Sequence, residues 1–223
     1  TGNGPSDCVV LQGRLIVSHI YEPQIWIFDT ETFERTGAQP IGSPQKSMAQ
    51  SIDGKTIAVT LQGSKPALAL LSTDNLDAIA VIPLPHIPEW VAPGPSGDFW
   101  NISSRHHPAV IQVHRAQDHW QTTVRNLSRP LISMISDATG THLFAATTGY
   151  STGGTTLTGN HFIQDQILKF DARSLELTSR LLTHRRAEKP KAPGDFLKWT
   201  AGAGPSAMSL MNNGDLLISF SGS

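Results

Sequence analysis

The sequence predicts an all-β chain of four-stranded antiparallel blades, a β-propeller, and three spacings carry that prediction. A glycine opens a short apolar strand in GRLIVSH (Gly13), GKTIAVT (Gly54), GDFWNIS (Gly97), GTHLFAAT (Gly140) and GDLLISF (Gly214), with gaps of 41, 43, 43 and 74 residues. A turn position recurs at Asp29, Ser72, Arg115 and Asp171, which lie 16, 18, 18 and 31 residues after those glycines. The segment QIWIFDTETFERTG at residues 24–37 returns as QILKFDARSLELTSR at 166–180, with weaker copies from Ala67 and Val110. Units of about 40–50 residues with four strands each point to propeller blades, whose sheets stack side by side around an axis.

Taken in order, the first blade spans about residues 4–42. Its strands fall near 8–11, 15–19, 24–28 and 33–39, where apolar residues alternate between turn signals. The second blade spans about 43–85 and contains Asp53-Gly54 between two apolar runs, a strong hairpin signal. The third spans 86–127, with Ser96-Gly97-Asp98 in the same place and a turn near 115–118. The fourth spans 128–202 and carries two insertions, residues 147–164 and 183–200. The fifth begins near 203 and supplies two strands by residue 223. About four and a half blades are therefore expected, as part of a seven-bladed propeller. The missing strands would come from a longer polypeptide or from another chain, because open sheet edges invite aggregation. The tripeptide Gly-Pro-Ser precedes the innermost strand at Gly4 and Gly204 but falls in a hairpin at Gly94.

Composition fits this class and narrows the partners. Nineteen Gly and fifteen Pro in 223 residues suit a turn-rich all-β chain. A formal net charge of −1 argues against general affinity for nucleic acid or anionic membranes. No apolar run reaches the ~18 residues of a membrane-spanning helix. Cys8 is the single cysteine, so neither an internal disulfide nor a CxxCH haem attachment is available, and no cofactor is expected within this chain. Its setting, DCVVL, predicts a buried structural thiol.

At SIDGKTIAV (51–59) followed by the strand from Leu68, and at IWIFDTET (25–32), the pattern resembles the YVTN-type repeat family. That superfamily is similar to lactonase, amine-dehydrogenase heavy-chain and surface-layer propellers. The resemblance implies a periplasmic or extracellular protein that binds or scaffolds. The two insertions and the atypical turn of the third blade depart from the family pattern.

Strand parity places the candidate site. Loops joining strands two and three, and those joining strand four to the next blade, leave the same face. Both insertions fall there, and long loops on a rigid scaffold commonly carry function. The ligand- or partner-face candidates are His19, Tyr21, Lys65, His86, Trp90, Tyr150, His161, Arg185, Arg186, Phe196 and Trp199. Arg105, His106 and His107 are the catalytic candidates. His19, His106, His107 and His161 are weak metal candidates, since imidazoles from equivalent loops are suitable ligands but no HxH or HExxH spacing exists. His114, His119 and His142 read as structural, and Trp26, Phe28 and Trp100 as filling between blades. There is no GxSxG nucleophile elbow, and the glycine-rich 149–159 segment lacks a Walker lysine. The basic run RRAEKPK at 185–191 is either a solvated loop or a docking arm for an acidic partner.

Two functions follow. One is a non-catalytic scaffold that presents its insertion face to another protein chain or to the remainder of its own polypeptide. The other is a hydrolase, lyase or oxidoreductase component with its site at the mouth of the central channel.

Overall fold

The computed structural model describes residues 3–104, 106–147, 166–182, 205–211, 213 and 215–220, and every regular element among them is a β-strand. Blade one consists of β1 (Pro5–Leu11), β2 (Arg14–His19), β3 (Gln24–Asp29) and β4 (Arg35–Pro40). Blade two consists of β5 (Gln45–Gln50), β6 (Thr56–Leu61), β7 (Ala67–Ser72) and β8 (Ala78–Pro83). Blade three has β9 (Pro88–Pro93), β10 (Phe99–Ser104), β11 (Ala109–Ala116) and β12 (His119–Asn126). Blade four has β13 (Leu131–Ser136), β14 (His142–Thr147), β15 (Gln166–Asp171) and β16 (Leu177–Leu182). β17 (Pro205–Leu210) and β18 (Leu216–Phe220) form a two-stranded sheet. Each four-stranded blade is an antiparallel meander in chain order. No helix of the described residues is long and apolar enough to cross a membrane.

The repeat spacings have a physical basis in the turns. Gly54 lies in the β5–β6 hairpin with φ +72° and donates its N–H to Ser51 at 2.9 Å. Gly13, Gly97 and Gly140 occupy the corresponding hairpins, and Gly214 lies outside the described residues. At the other recurring position, Asp29 Oδ1 accepts the N–H groups of Glu31 and Thr32, each at 2.9 Å. Asp171 Oδ1 does the same for Arg173 and Ser174 at 3.0 and 2.8 Å. Each turn then needs one left-handed residue before the fourth strand: Phe33, Leu76 and Leu175, with φ of 56°, 63° and 53°. Phe33 therefore belongs to the turn, and β4 starts two residues later than the apolar pattern suggests. Blade three differs again, because β11 runs to Ala116 and a Gln117-Asp118 turn, with Gln117 at φ 56°, returns the chain directly.

A further repeat ties each blade's outer strand to its third. Pro23, Pro66 and Pro108 each precede a third strand, and their carbonyls accept the N–H of Ile41, Leu84 and Leu127 at 2.9, 2.9 and 2.6 Å. Proline has no N–H, so its place just ahead of a strand costs the ladder no bond. This fixes the geometry of the four-residue connections 41–44, 84–87 and 127–130.

The core is a series of layers between blades. Ile16 and Ile25 of blade one meet Ile57, Val59 and Leu71 of blade two. Ala58, Leu68 and Leu70 on the opposite face of blade two meet Trp100, Ile102 and Ile111 of blade three. Val110 and Ala92 of blade three meet Leu143, Ala145 and Phe170 of blade four. Full burial of side chains of this size contributes about 1.5–3 kcal/mol each, so these layers dominate the cohesion of the arc. Polar bridges set the register. Arg14 Nη2 donates to the Thr73 carbonyl at 2.8 Å, and Gln112 Nε2 donates to the Ala172 and Arg173 carbonyls at 3.0 and 2.9 Å. Both reach the recurring turn of the next blade.

Two expectations about blade one need correction. Trp100 does fill an inter-blade layer, but Trp26 and Phe28 alternate with Ile25 and Ile27 and so lie on the face turned away from blade two, where both are half-buried. Cys8 pairs with Val17 and shares that outward face. It is exposed, not buried, because the apolar run DCVVL serves two faces and only one of them is covered by blade two.

Candidate functional site

The connections 41–44, 84–87 and 127–130 leave the same face as the loops 20–23, 62–66 and 106–108, since each follows an even-numbered strand of its blade. Of the sequence-predicted residues, Arg105, Tyr150, His161, Arg185, Arg186, Phe196 and Trp199 lie outside the described residues, as do both insertions except Thr147, which ends β14. The remaining candidates separate into three groups.

His19 is not a loop residue. It ends β2, is fully buried, and its ring stands 5.1 Å from that of Trp26. Neither ring nitrogen has a hydrogen-bond partner, and its backbone N–H donates to Gln45 Oε1 at 3.0 Å. Parity of the strand put it on the correct side, but alternation turned it into the sheet. Tyr21, two residues on, is 72% exposed.

Trp90, on β9, gathers charged neighbours at the end of the innermost strands. Lys46 Nζ is 5.3 Å from the Trp90 ring centroid and 3.8 Å from Glu89 Oε1. Gln62 Nε2 donates to the Pro88 carbonyl at 2.7 Å and stands 3.5 Å from Glu89 Oε2. Lys46 itself carried no signal in the sequence beyond its place at the second residue of an innermost strand.

His86, on the connection that enters blade three, and His107, on the loop between β10 and β11, come together with their rings stacked, centroids 4.1 Å apart and an interplanar angle of 30°. His106 is exposed. Among the described residues no group of three or more His, Cys, Asp or Glu side chains is placed to hold a metal ion. His114 and His142 are engaged locally: His114 stacks on Phe99 at 5.9 Å, and His142 Nδ1 pairs with Asp137 Oδ2 at 2.8 Å.

Beside the histidine stack, between blades one and two, the same face opens into a groove of about 590 Å³. Ile41, Leu61, Pro66, Val81 and Leu84 give it apolar walls, and Ser43 and Lys65 stand among its lining residues. Next to it Gly63 and Ser43 are closely packed, since a Cβ at Gly63 would lie 2.6 Å from Ser43 Oγ. A smaller cavity of about 180 Å³ occupies the corresponding place between blades three and four, lined in part by Leu127, Arg129, Gln166 and Arg180. Single-sequence reading missed the groove, since its walls come from three segments, each unremarkable alone.

No protein-family model matches the chain, and no curated protein matches it. Many solved structures share its architecture, among them the following two. One is the β-propeller domain of Cps50 (Swd1) from Myceliophteria thermophila, with a TM-score of 0.69 and 12% identity over 99% of this chain and 63% of that one. The other is hydrazine synthase from Kuenenia stuttgartiensis, with a TM-score of 0.61 and 15% identity over 81% of this chain and 49% of that one. The chain thus spans less than two thirds of either neighbour. At these identities the likeness establishes the β-propeller fold alone.

Proposed function

We propose that this chain is a binding and scaffold domain that engages another protein, or another part of its own polypeptide, through the face carrying the 41–44, 62–66 and 84–87 loops. The observation that supports this reading is the open apolar groove of about 590 Å³ on that face, held by blades whose cores are packed in layers. Concave apolar sites with a few polar groups at the rim are where proteins receive ligands and partner side chains. A catalytic channel mouth has less support: His86 and His107 stack on each other, and Lys46 and Glu89 pair beside Trp90. A periplasmic or extracellular location, and completion of the arc to seven blades, belong to the same proposal. The second rests on the outward face of blade one, where Val10 is 65% exposed beside Cys8. A photo-crosslinking residue placed at Ser64 in the producing cells is expected to give a discrete protein adduct, and one placed at Asp53 on the opposite face is not. Adducts from Asp53 alone would reverse the assignment of the face.

A further inference from the structure

Four equivalent positions meet at the loop-face end of each junction between blades. They are the third residue of the connection, the last residue of the second strand, the first residue of the third strand, and the fourth-strand residue paired with Ala69, Ile111 or Leu168. Between blades one and two they are Ser43, Leu61, Ala67 and Val81. Between blades two and three they are His86, Ser104, Ala109 and Val124. Between blades three and four they are Arg129, Thr147, Gln166 and Arg180, and all four line the cavity of about 180 Å³. Of the three sets, the last alone brings two guanidinium groups and an amide to one place.

The cavity's charge is one-sided, since no Asp or Glu is among the described residues that line it. Gln166 is 5% exposed, yet its side-chain amide makes no hydrogen bond to a described residue. A buried amide without a partner is unfavourable, so Gln166 presents an unused donor to the cavity. The connection carrying Arg129 is pinned at both ends. Leu127 N–H donates to the Pro108 carbonyl at 2.6 Å, and Thr147 Oγ1 donates to the Pro130 carbonyl at 2.9 Å. Arg129 is engaged elsewhere as well, but a guanidinium carries five N–H donors in a planar fork, so one engagement does not exhaust it. We infer that this cavity binds a small organic carboxylate. Its oxygens meet Arg129, Arg180 and Gln166, because the guanidinium fork matches a carboxylate. Its hydrocarbon part covers Leu168 and Phe170, an apolar wall that inorganic phosphate would leave in water. The volume of about 180 Å³ is below the ~300–1,000 Å³ of sites for drug-sized ligands, so the acid has few heavy atoms. The inference does not rest on the scaffold reading, which draws on a different groove.

The test uses the full chain and 3-methylbutanoate, with 3-methylbutanamide as its uncharged counterpart, followed by saturation-transfer NMR and calorimetric titration. The acid is expected to bind, and the amide to bind about tenfold more weakly or less, as the charge-assisted bonds are lost. Arg180→Gln, on the exposed outer strand, should weaken the acid by about tenfold as well. Gln166→Leu serves as the second variant. Its fold is secure because the equivalent residues are Ala67 and Ala109, and it should weaken the acid severalfold. No binding by the unmodified chain, equal affinity for acid and amide, or unchanged affinity in both variants overturns the inference. Tighter binding of inorganic phosphate than of the acid overturns the choice of a carboxylate.

Discussion

Asp7, on the innermost strand of blade one, accepts the backbone N–H of Met48 on the innermost strand of blade two at 2.8 Å. Ser47 repeats the contact one blade on, its Oγ accepting from Val91 N–H at 3.4 Å. At the next equivalent position the chain places Trp90. The bonds matter because innermost strands of adjacent blades do not pair with each other, so their edge N–H groups need side-chain acceptors. Burial pushes the Asp7 carboxyl above its ordinary value of 3.8, against the hydrogen bonds from Met48, Cys8 and Ser47.

A carboxylate with a raised folded-state pKa destabilises at pH values above that raised value and ceases to do so below 3.8. Lowering the pH from 7 to 4.5 should therefore favour the natural chain relative to Asp7→Asn, read from urea midpoints. Asp137 behaves oppositely. Burial alone would raise it, but hydrogen bonds from His142, Thr139 and Thr141 together hold it below the ordinary value. Its contribution is present above 3.8 and is lost as the pH falls, so the advantage of the natural chain over Asp137→Asn should shrink with acid.

Much of this architecture is legible in the sequence because the turns dictate it. The glycine repeats because the hairpins at Gly13, Gly54 and Gly140 each hold it in the left-handed region, Gly97 being the exception, and the Asp29 and Asp171 positions repeat because the turn needs its side-chain cap. The prolines at 23, 66 and 108 carry equal information, as their carbonyls anchor the next connection. Other features are not local. Whether Cys8 or Val9 faces blade two depends on one step of register, which an apolar run such as DCVVL leaves open. His86 and His107 can be assigned to one face from strand parity, but their contact needs the placement of the 84–87 connection against the loop that holds 106–108. The groove at Ser43 and Lys65 becomes visible only when equivalent positions are compared in space.

Glycines at equivalent hairpins should differ in cost when substituted. Gly140 has φ +66°, and an added Cβ would lie 2.1 Å from the carbonyl oxygen of Gly94 in the neighbouring blade. Gly13 has φ +73° but its nearest neighbour would be Thr30 Oγ1 at 3.9 Å. Gly13→Ala should cost about 1 kcal/mol for the left-handed backbone alone. Gly140→Ala should cost roughly 3 kcal/mol or more, because backbone strain and displacement of a blade add. Chemical denaturation of both variants measures the difference, and equal costs would contradict the hairpin contact between blades three and four.

Cys8 should label slowly with a maleimide at neutral pH although it is exposed. Burial in part, followed by the nearby Asp7 charge, raises its thiol pKa and reduces the reactive thiolate. The rate should climb with pH and increase in Asp7→Asn. If a further blade covers the outward face of blade one, as proposed, labelling in the complete assembly should be strongly suppressed relative to this chain alone.

Hydrogen exchange, compared between the free chain and its bound form, tests the scaffold reading most directly. The account predicts added protection in the loop segments 41–44, 62–66 and 84–87. It predicts no change in the opposite hairpins at 51–54, 94–98 and 137–141. Protection confined to those hairpins, with the loop segments unchanged, would contradict it.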